Sequence, residues 1–444
     1  MRLQCAAYWF APFLLIILIY GSSLHAWFQL DDFAWLALRA HITNWDSLLS
    51  ALFRPLAQGT IRPISERLFF LSLQAVFGLE ALPFRLVVLT TFAGSVYLLA
   101  RVTEILVNSS RAGLGAAIFW VVNANLFWSV AWNSAYNQIL CSFLFLLSFL
   151  IFMRYIETGK VRYHIGHWSA FLLGFGVLEL NVVYPAVVLL YAAIRSRAHV
   201  RKLVPMIGVA IIYVGVRCSL GLPQESSVYG MHLDSIVPTL FRYLKMSAGA
   251  GEYASSVGLG ALPFACMQAA VLVALISFAV QRSFQRDWLP VFFSGWFLAT
   301  LAPYLLLRDH VSDYYLTVPV IGLCMLGGYA LTFIGPVFSR PALPHLAAVV
   351  VVCLYLVPSA WAARSQTAYA VGVSARVKNF VQRLAQASHG HSGKTILLQG
   401  VDNELFWSAV YYQPHRLFGL TDLYLTADSE SLIGTINGAG SLAQ

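Results

Sequence analysis

The chain has 444 residues, of which 59% are hydrophobic and 11% charged, and its mean hydropathy is +0.72; a soluble domain carries about 25% charged residues. That balance excludes an ordinary soluble protein and points to a polytopic membrane protein. The formal charge of +9 comes from Lys and Arg scattered among short loops, as membrane orientation requires, and not from a nucleic-acid-binding surface.

Apolar runs close to the ~20 residues of a helical crossing fall at 8–25, 84–107, 112–132, 135–153, 203–220, 262–281, 288–307, 314–335 and 343–363. The first follows Arg2, is long for a signal peptide and lacks a small-residue cleavage motif, so it reads as a retained helix. It leads into "FQLDDFAWLALRA" at 28–40, which sets Asp31 beside Asp32. Two neighbouring acids repel, and desolvation near lipid adds to the cost. Capping a helix that starts at Phe33 would use one acid, not two.

The loop 26–83 also holds Asp46 and Glu66 against Arg39, Arg54, Arg62, Arg67 and Arg85. Its segments 33–40 and 46–53 have helical apolar spacing, and Trp35 and Trp45 suit the headgroup level, so the loop reads as amphipathic and interface-lying. A carboxylate there is placed to act as general base on a hydroxyl acceptor. An arginine fork is placed to hold a phosphate oxygen, although Arg54 and Arg62 also suit a snorkelling role.

The stretch 168–194 carries Glu179, Asn181 and Pro185 near its middle. It is flanked by Arg154, Lys160 and Arg162 on one side and by Arg195, Arg197, Arg201 and Lys202 on the other. Both flanks favour the cytoplasm, which predicts a hairpin of two short helices, with Glu179 and Asn181 at the outer turn or in a protein-lined cavity. About eleven helical passes follow, with the N-terminus inside and the C-terminus outside. The segments 26–83, 221–261 and 364–444 then share the extracytoplasmic face. The last reads as a small α/β appendage, with a strand-like run, an amphipathic stretch and an aromatic piece in "KTILLQGVDNELFWSAVYYQPHRLFGL".

Arg308, Asp309, His310 and Asp313 cluster at an outer helix end, either as solvated loop charge or as a site, with Arg308 or His310 on a phosphate. The six cysteines lie in or beside apolar runs without a CxxC pair and read as small hydrophobes. His164 and His167, on the inner side, read as non-ligands. Asn108-Ser109-Ser110 is an inner-side glycosylation pattern left idle, and Gly113 and Gly115 are packing residues rather than a phosphate loop.

The acidic pair after the first helix, followed by "IRPISERLFFLSLQAVFGLEALPFRLVVL", resembles the polytopic GT-C glycosyltransferases, closest to their O-mannosyltransferase-like branch. "GVLELNVVYPAVVLL" resembles that family's acidic residue before a proline-containing apolar run, and "RDHVSDYYLTVPVIGL" its tyrosine-rich entry into a late span. The resemblance implies an all-α, GT-C-like transmembrane domain over 1–363, followed by the 364–444 appendage. It implies inverting transfer of a sugar from a polyprenyl-phosphate donor to a glycan, lipid or protein hydroxyl on the extracytoplasmic face, in a cell-envelope pathway of the bacterial inner membrane. Asp31 is similar to the family's catalytic acid, with Asp32 as its partner. Arg62 matches the arginine of the Arg-Pro segment and, with Arg308 and His310, would bind the donor phosphate. Glu179 would contact substrate. "AWNSAYNQ" departs from the family by offering Trp132, Asn133, Tyr136, Asn137 and Gln138 where relatives often present an acid or arginine, so uncharged contacts are expected there, with Asn133, Tyr136 and Asn137 as the substrate-binding candidates. Adjacent acids could share a divalent cation, but no metal ligand set is assigned. A transporter or flippase of a lipid-linked glycan, for which Glu179 speaks, and a non-catalytic assembly protein are the rival readings.

Overall fold

The structure is a computed structural model that describes residues 2–56, 59–220, 229–250, 253, 255, 258, 260–334, 343–390, 396–420 and 423–426. Arg340 and parts of the 221–261 loop lie outside the described residues. The described chain is almost entirely helical, with one two-stranded parallel sheet near its C-terminus. Six of its helices are long and apolar enough to cross a membrane, or seven if the bent pair Ser110–Val121 and Ala124–Ala131 is one span. Phe10–His25 and Val320–Leu331 are shorter apolar helices.

The run 112–132, expected as one span, bends by 61° at residues 122–123. Asn123 causes the break: its side chain accepts the Asn125 N–H at 3.0 Å and donates to the Tyr355 hydroxyl at 2.9 Å. A side-chain amide that satisfies local backbone competes with the helical ladder. Gly115 and Gly328 face each other where Ser110–Val121 meets Val320–Leu331, and an added Cβ at either would collide with the neighbouring helix. The small-residue stripe permits that close helix approach.

Residues 161–195 form two short helices, Val161–Gly174 and Tyr184–Arg195, joined through a 3₁₀ turn at Glu179–Val183. Ring contacts show that the chain turns back. Tyr155, near the end of Tyr136–Thr158, meets both His164 and His199, at 4.7 and 5.3 Å. One turn deeper, Phe152 meets both His167 and Tyr191. The entry and exit of the segment therefore sit at one level, with Glu179 at the far end. His167 is enclosed between Ser148 and Tyr184, through its ring nitrogen at 3.1 and 3.2 Å, and pins the hairpin to its neighbour.

The boundary expected at 363 falls inside a single helix, Leu343–Gly390. At 48 residues and ~1.5 Å per residue it far exceeds the ~30 Å apolar core of a bilayer, so its second half projects beyond. The strands Ile396–Leu398 and Leu423–Leu425 pair in parallel, Ile396 opposite Leu423. Arg376 anchors this appendage to the long helix through Asp402, at 2.6 Å, and Glu404.

The 26–83 loop differs from an interface-lying segment in its first part. Trp35, expected at the headgroup level, is buried, because the helix Asp32–Ala37 is covered by the appendage turn Pro414–Phe418 and by Phe69–Phe77. Trp45, on the following helix Trp45–Phe53, is 78% exposed and keeps the expected character.

Candidate functional site

The site begins at a backbone irregularity. Leu30 adopts a left-handed φ of 56°, uncommon for a side chain with a Cβ. Its N–H donates to the Ser408 carbonyl of the appendage at 2.6 Å, and the preceding Trp27 N–H donates to Ser374 Oγ of the long helix at 3.0 Å. The next two residues are the acids.

Asp32 is fully buried and fully engaged. It accepts the Ser134 N–H at 2.9 Å, the Ser134 hydroxyl at 2.7 Å, the Gln29 N–H at 3.1 Å and the Asn133 amide at 3.4 Å. Burial raises its pKa to about 6, against the charge of the buried Arg85 and the hydrogen bonds from Ser134 and Gln29. Asp31 occupies the N-cap position without a side-chain capping bond, so capping does not explain it. It is half-buried, and its Oδ1 is screened from solvent without a hydrogen-bond partner. Burial, then the charges of Asp32 and Glu66, push Asp31 up to about 8, although Ser134 and Arg62 pull the other way. Of the pair, Asp31 is therefore the acid that takes up a proton first as pH falls.

Beside the pair lies an ionic triad. Arg62 Nε donates to both oxygens of Glu179, at 3.1 and 2.9 Å, and its Nη2 lies 2.8 Å from one of them. Arg62 Nη1 reaches Glu66 at 2.6 Å, and Asn137 donates to the same Glu66 oxygen at 3.3 Å. Burial opposes the charge of Arg62, but Glu179 and Glu66 more than restore it. The triad joins the first loop to the hairpin turn across 117 residues of sequence. It starts where Pro63–Leu68 takes a π-helical turn, a local irregularity that often accompanies function.

A half-buried aromatic group completes the surroundings: Trp132, Tyr229, His310, Tyr314 and Tyr412. His310 packs on Tyr229 at 4.4 Å between centroids, its Nε2 lies 3.1 Å from the Tyr314 hydroxyl, and Trp132 meets Tyr314 edge-on at 6.0 Å. Tyr229 and Tyr412 both feel the charge of Asp31, after burial, and both hydroxyls are raised. Burial lowers the pKa of His310 and so disfavours its cationic form.

The sequence-derived residues are thus partly gathered. Asp31, Asp32, Arg62, Glu179, Asn133, Asn137 and His310 converge. Tyr136 turns instead to Phe69, at 4.5 Å, and to the Thr91 hydroxyl, and belongs to the packing. Arg308 is 52% exposed and faces Asp234 and Asp309, each at 3.5 Å, and among the described residues no contact ties it to Asp31. Ser134, within "AWNSAYNQ" itself, is the strongest partner of Asp32 and was not singled out by sequence; its place beside Asn133 was the available signal. Glu66 and Arg85 were visible only as loop charge. No local signal connects Tyr412 to Asp31. Among the described residues no group of three or more His, Cys, Asp or Glu side chains is arranged to hold a metal ion. A separate, apolar cavity of about 500 Å³ lies between Ala261–Phe284, Val320–Leu331 and the long helix, lined by Val271, Phe278 and Val351. It contains none of these acids.

Compared with known proteins, the chain matches no family model, and no characterised protein matches it either.

Proposed function

We propose that this protein is a GT-C-type membrane glycosyltransferase that moves a sugar, with inversion, from a polyprenyl-phosphate donor to a hydroxyl acceptor at the extracytoplasmic face. The observation that carries this reading is Asp31, a carboxylate with an unsatisfied oxygen, set beside a fully held Asp32 and next to Arg62. A structural carboxylate collects partners. One left open in a built site is poised for a proton. In the reaction, the acceptor oxygen bonds to the anomeric carbon as the bond from that carbon to the phosphate oxygen breaks. The acceptor proton passes to Asp31, and prenyl phosphate leaves toward Arg62 and His310. Arg62 already carries two carboxylates, so a phosphate there would exchange with Glu179, the more exposed partner. Arg308 stands as an outlying phosphate contact.

The same reading takes the topology to eleven passes. The bent pair, the two shorter apolar helices and the two arms of the 161–195 hairpin join the six long apolar helices. The segments bearing Asp31, Arg62, Glu179 and His310 then lie on one side of the membrane, with the N-terminus on the other. The divalent cation considered for the acidic pair has no support from the donor set, because the Asp32 oxygens already accept from Ser134, Gln29 and Asn133. Glu179, the residue that speaks for transport, pairs here with Arg62 of the first loop.

The test is purified Asp31→Asn assayed with a panel of polyprenyl-phosphate-linked sugars and envelope-derived acceptors. Transfer should fall by about 10²–10⁴, the worth of a general base, with donor affinity retained. Near-normal transfer by Asp31→Asn would remove the assignment.

A further inference from the structure

The appendage does more than follow the last helix. Its Ser408 carbonyl holds Leu30, one residue before Asp31, and its Pro414–Phe418 turn packs on the helix that starts at Asp32. Between those two contacts lies Tyr412, half-buried, within electrostatic reach of Asp31, Tyr229 and Tyr314. Trp132 meets Tyr314, and its indole N–H is buried without a partner. Four segments far apart in sequence therefore bring partly open aromatic side chains to one unsatisfied carboxylate.

Resting on the glycosyltransferase reading, we propose that Tyr412, Tyr229, Tyr314 and Trp132 form the acceptor subsite and that the acceptor is a saccharide, stacked by a ring face against this aromatic wall. A pyranose presents C–H groups of partial positive character on one face, which suit the negative face of an aromatic ring. Its hydroxyls match what is left open here, a buried indole N–H that needs an acceptor and a carboxylate oxygen that needs a donor. A lipid tail would leave both unsatisfied. Tyr412 is the telling member because it comes from the appendage, so the appendage selects the acceptor while the helical body holds the donor.

Two measurements test this. Titration of the full-length protein with methyl glucoside, galactoside and mannoside should quench tryptophan fluorescence for at least one of them, and the acyclic polyol sorbitol should not; Trp132→Phe should remove the change. No response to any pyranoside, or an equal response to sorbitol, overturns the proposal without assaying transfer. In the transfer assay, Tyr412→Ala should raise the acceptor KM about 3- to 10-fold, the range set by one aromatic contact, with the donor KM unchanged, whereas Tyr412→Phe should retain wild-type values. An unchanged acceptor KM in Tyr412→Ala, or a Phe variant as impaired as Ala, overturns stacking and leaves the glycosyltransferase reading intact. Activity retained by Asp31→Asn would instead remove that reading, whatever Tyr412 does. Preference for a peptide hydroxyl or a lipid alcohol over every saccharide offered also overturns the proposal.

Discussion

The two halves of the acidic site are built on opposite plans. In the triad, one arginine is shared by Glu66 and Glu179 in close ionic hydrogen bonds. In the adjacent pair, Asp32 takes four hydrogen bonds while Asp31 keeps an oxygen open and is pushed to about 8. Both halves put costly carboxylates into a poorly solvated place. The triad offsets that cost with opposite charge and ties two distant segments together. The pair leaves part of it standing. Satisfied charge is how a structure holds shape, and unsatisfied charge is how it keeps a group ready to react.

The largest effect expected from this contrast is on the triad. Replacing Arg62 with Leu would leave two carboxylates facing each other and should destabilise the protein by about 3–5 kcal/mol, as when one partner of a buried pair is removed. Thermal unfolding in detergent measures this, and Arg62→Lys should recover part of it, since Lys lacks the planar fork. A fully stable Arg62→Leu would mean that the triad does not organise the fold. Ser134→Ala comes next. It deletes the 2.7 Å hydroxyl bond to a carboxylate, for which a loss of about 1.5–3 kcal/mol is expected, while the Ser134 N–H still holds Asp32.

The pair should show its character through pH. Asp31 is raised from the ordinary carboxylate value of ~4 to about 8, so the native state binds a proton that the unfolded chain has released. The stability this proton gives is full below pH ~4 and lost as pH climbs toward 8, the sign that linkage demands for a raised acid. Asp31→Asn abolishes that loss. The variant should therefore gain in melting temperature over the wild type at pH 8–9 and show little gain at pH 5. Equal gains at both would mean that Asp31 does not carry the proton. In the active protein kcat/KM should rise with pH toward about 8, because the base of the free enzyme must be ionised.

Much of this arrangement was readable in the sequence, for stated reasons. Asp31, Asp32 and Glu179 stood out because charge is costly beside or within apolar runs, and loop arginines on both flanks of 168–194 required the chain to return. What stayed hidden was of two kinds. Local competition was missed: Asn123 breaks a run that hydropathy alone reads as one span, and Ser134 looks like filler between Asn133 and Ala135. The end of the last span was set by hydropathy at 363, but the helix continues because "ARSQTAYAVGVSARVKNFVQRLAQ" includes many residues that favour helix in water as well as lipid. The other kind is long-range. That Tyr412 comes within electrostatic reach of Asp31 depends on how a 48-residue helix returns the chain to the first loop, and nothing near either residue encodes it.

The smallest effect expected concerns Leu30, where the two plans meet. A left-handed conformation costs a residue with a Cβ about 1–2 kcal/mol, whereas glycine avoids that steric cost. Leu30→Gly relieves the strain but gives the unfolded chain more freedom to lose on folding, about 0.5–1 kcal/mol. It also gives up the packing of a partly buried side chain. These terms nearly cancel, so the melting temperature should move by no more than a few degrees in either direction. Leu30→Val separates conformation from packing. A β-branched residue keeps apolar bulk but resists positive φ, so Val should destabilise clearly more than Gly. It should also weaken the bond to the Ser408 carbonyl, read as faster exchange of the amide at position 30. If Val and Gly behave alike, the left-handed turn is not what presents Asp31, and its open oxygen must be ascribed to the aromatic wall and Asp32 alone.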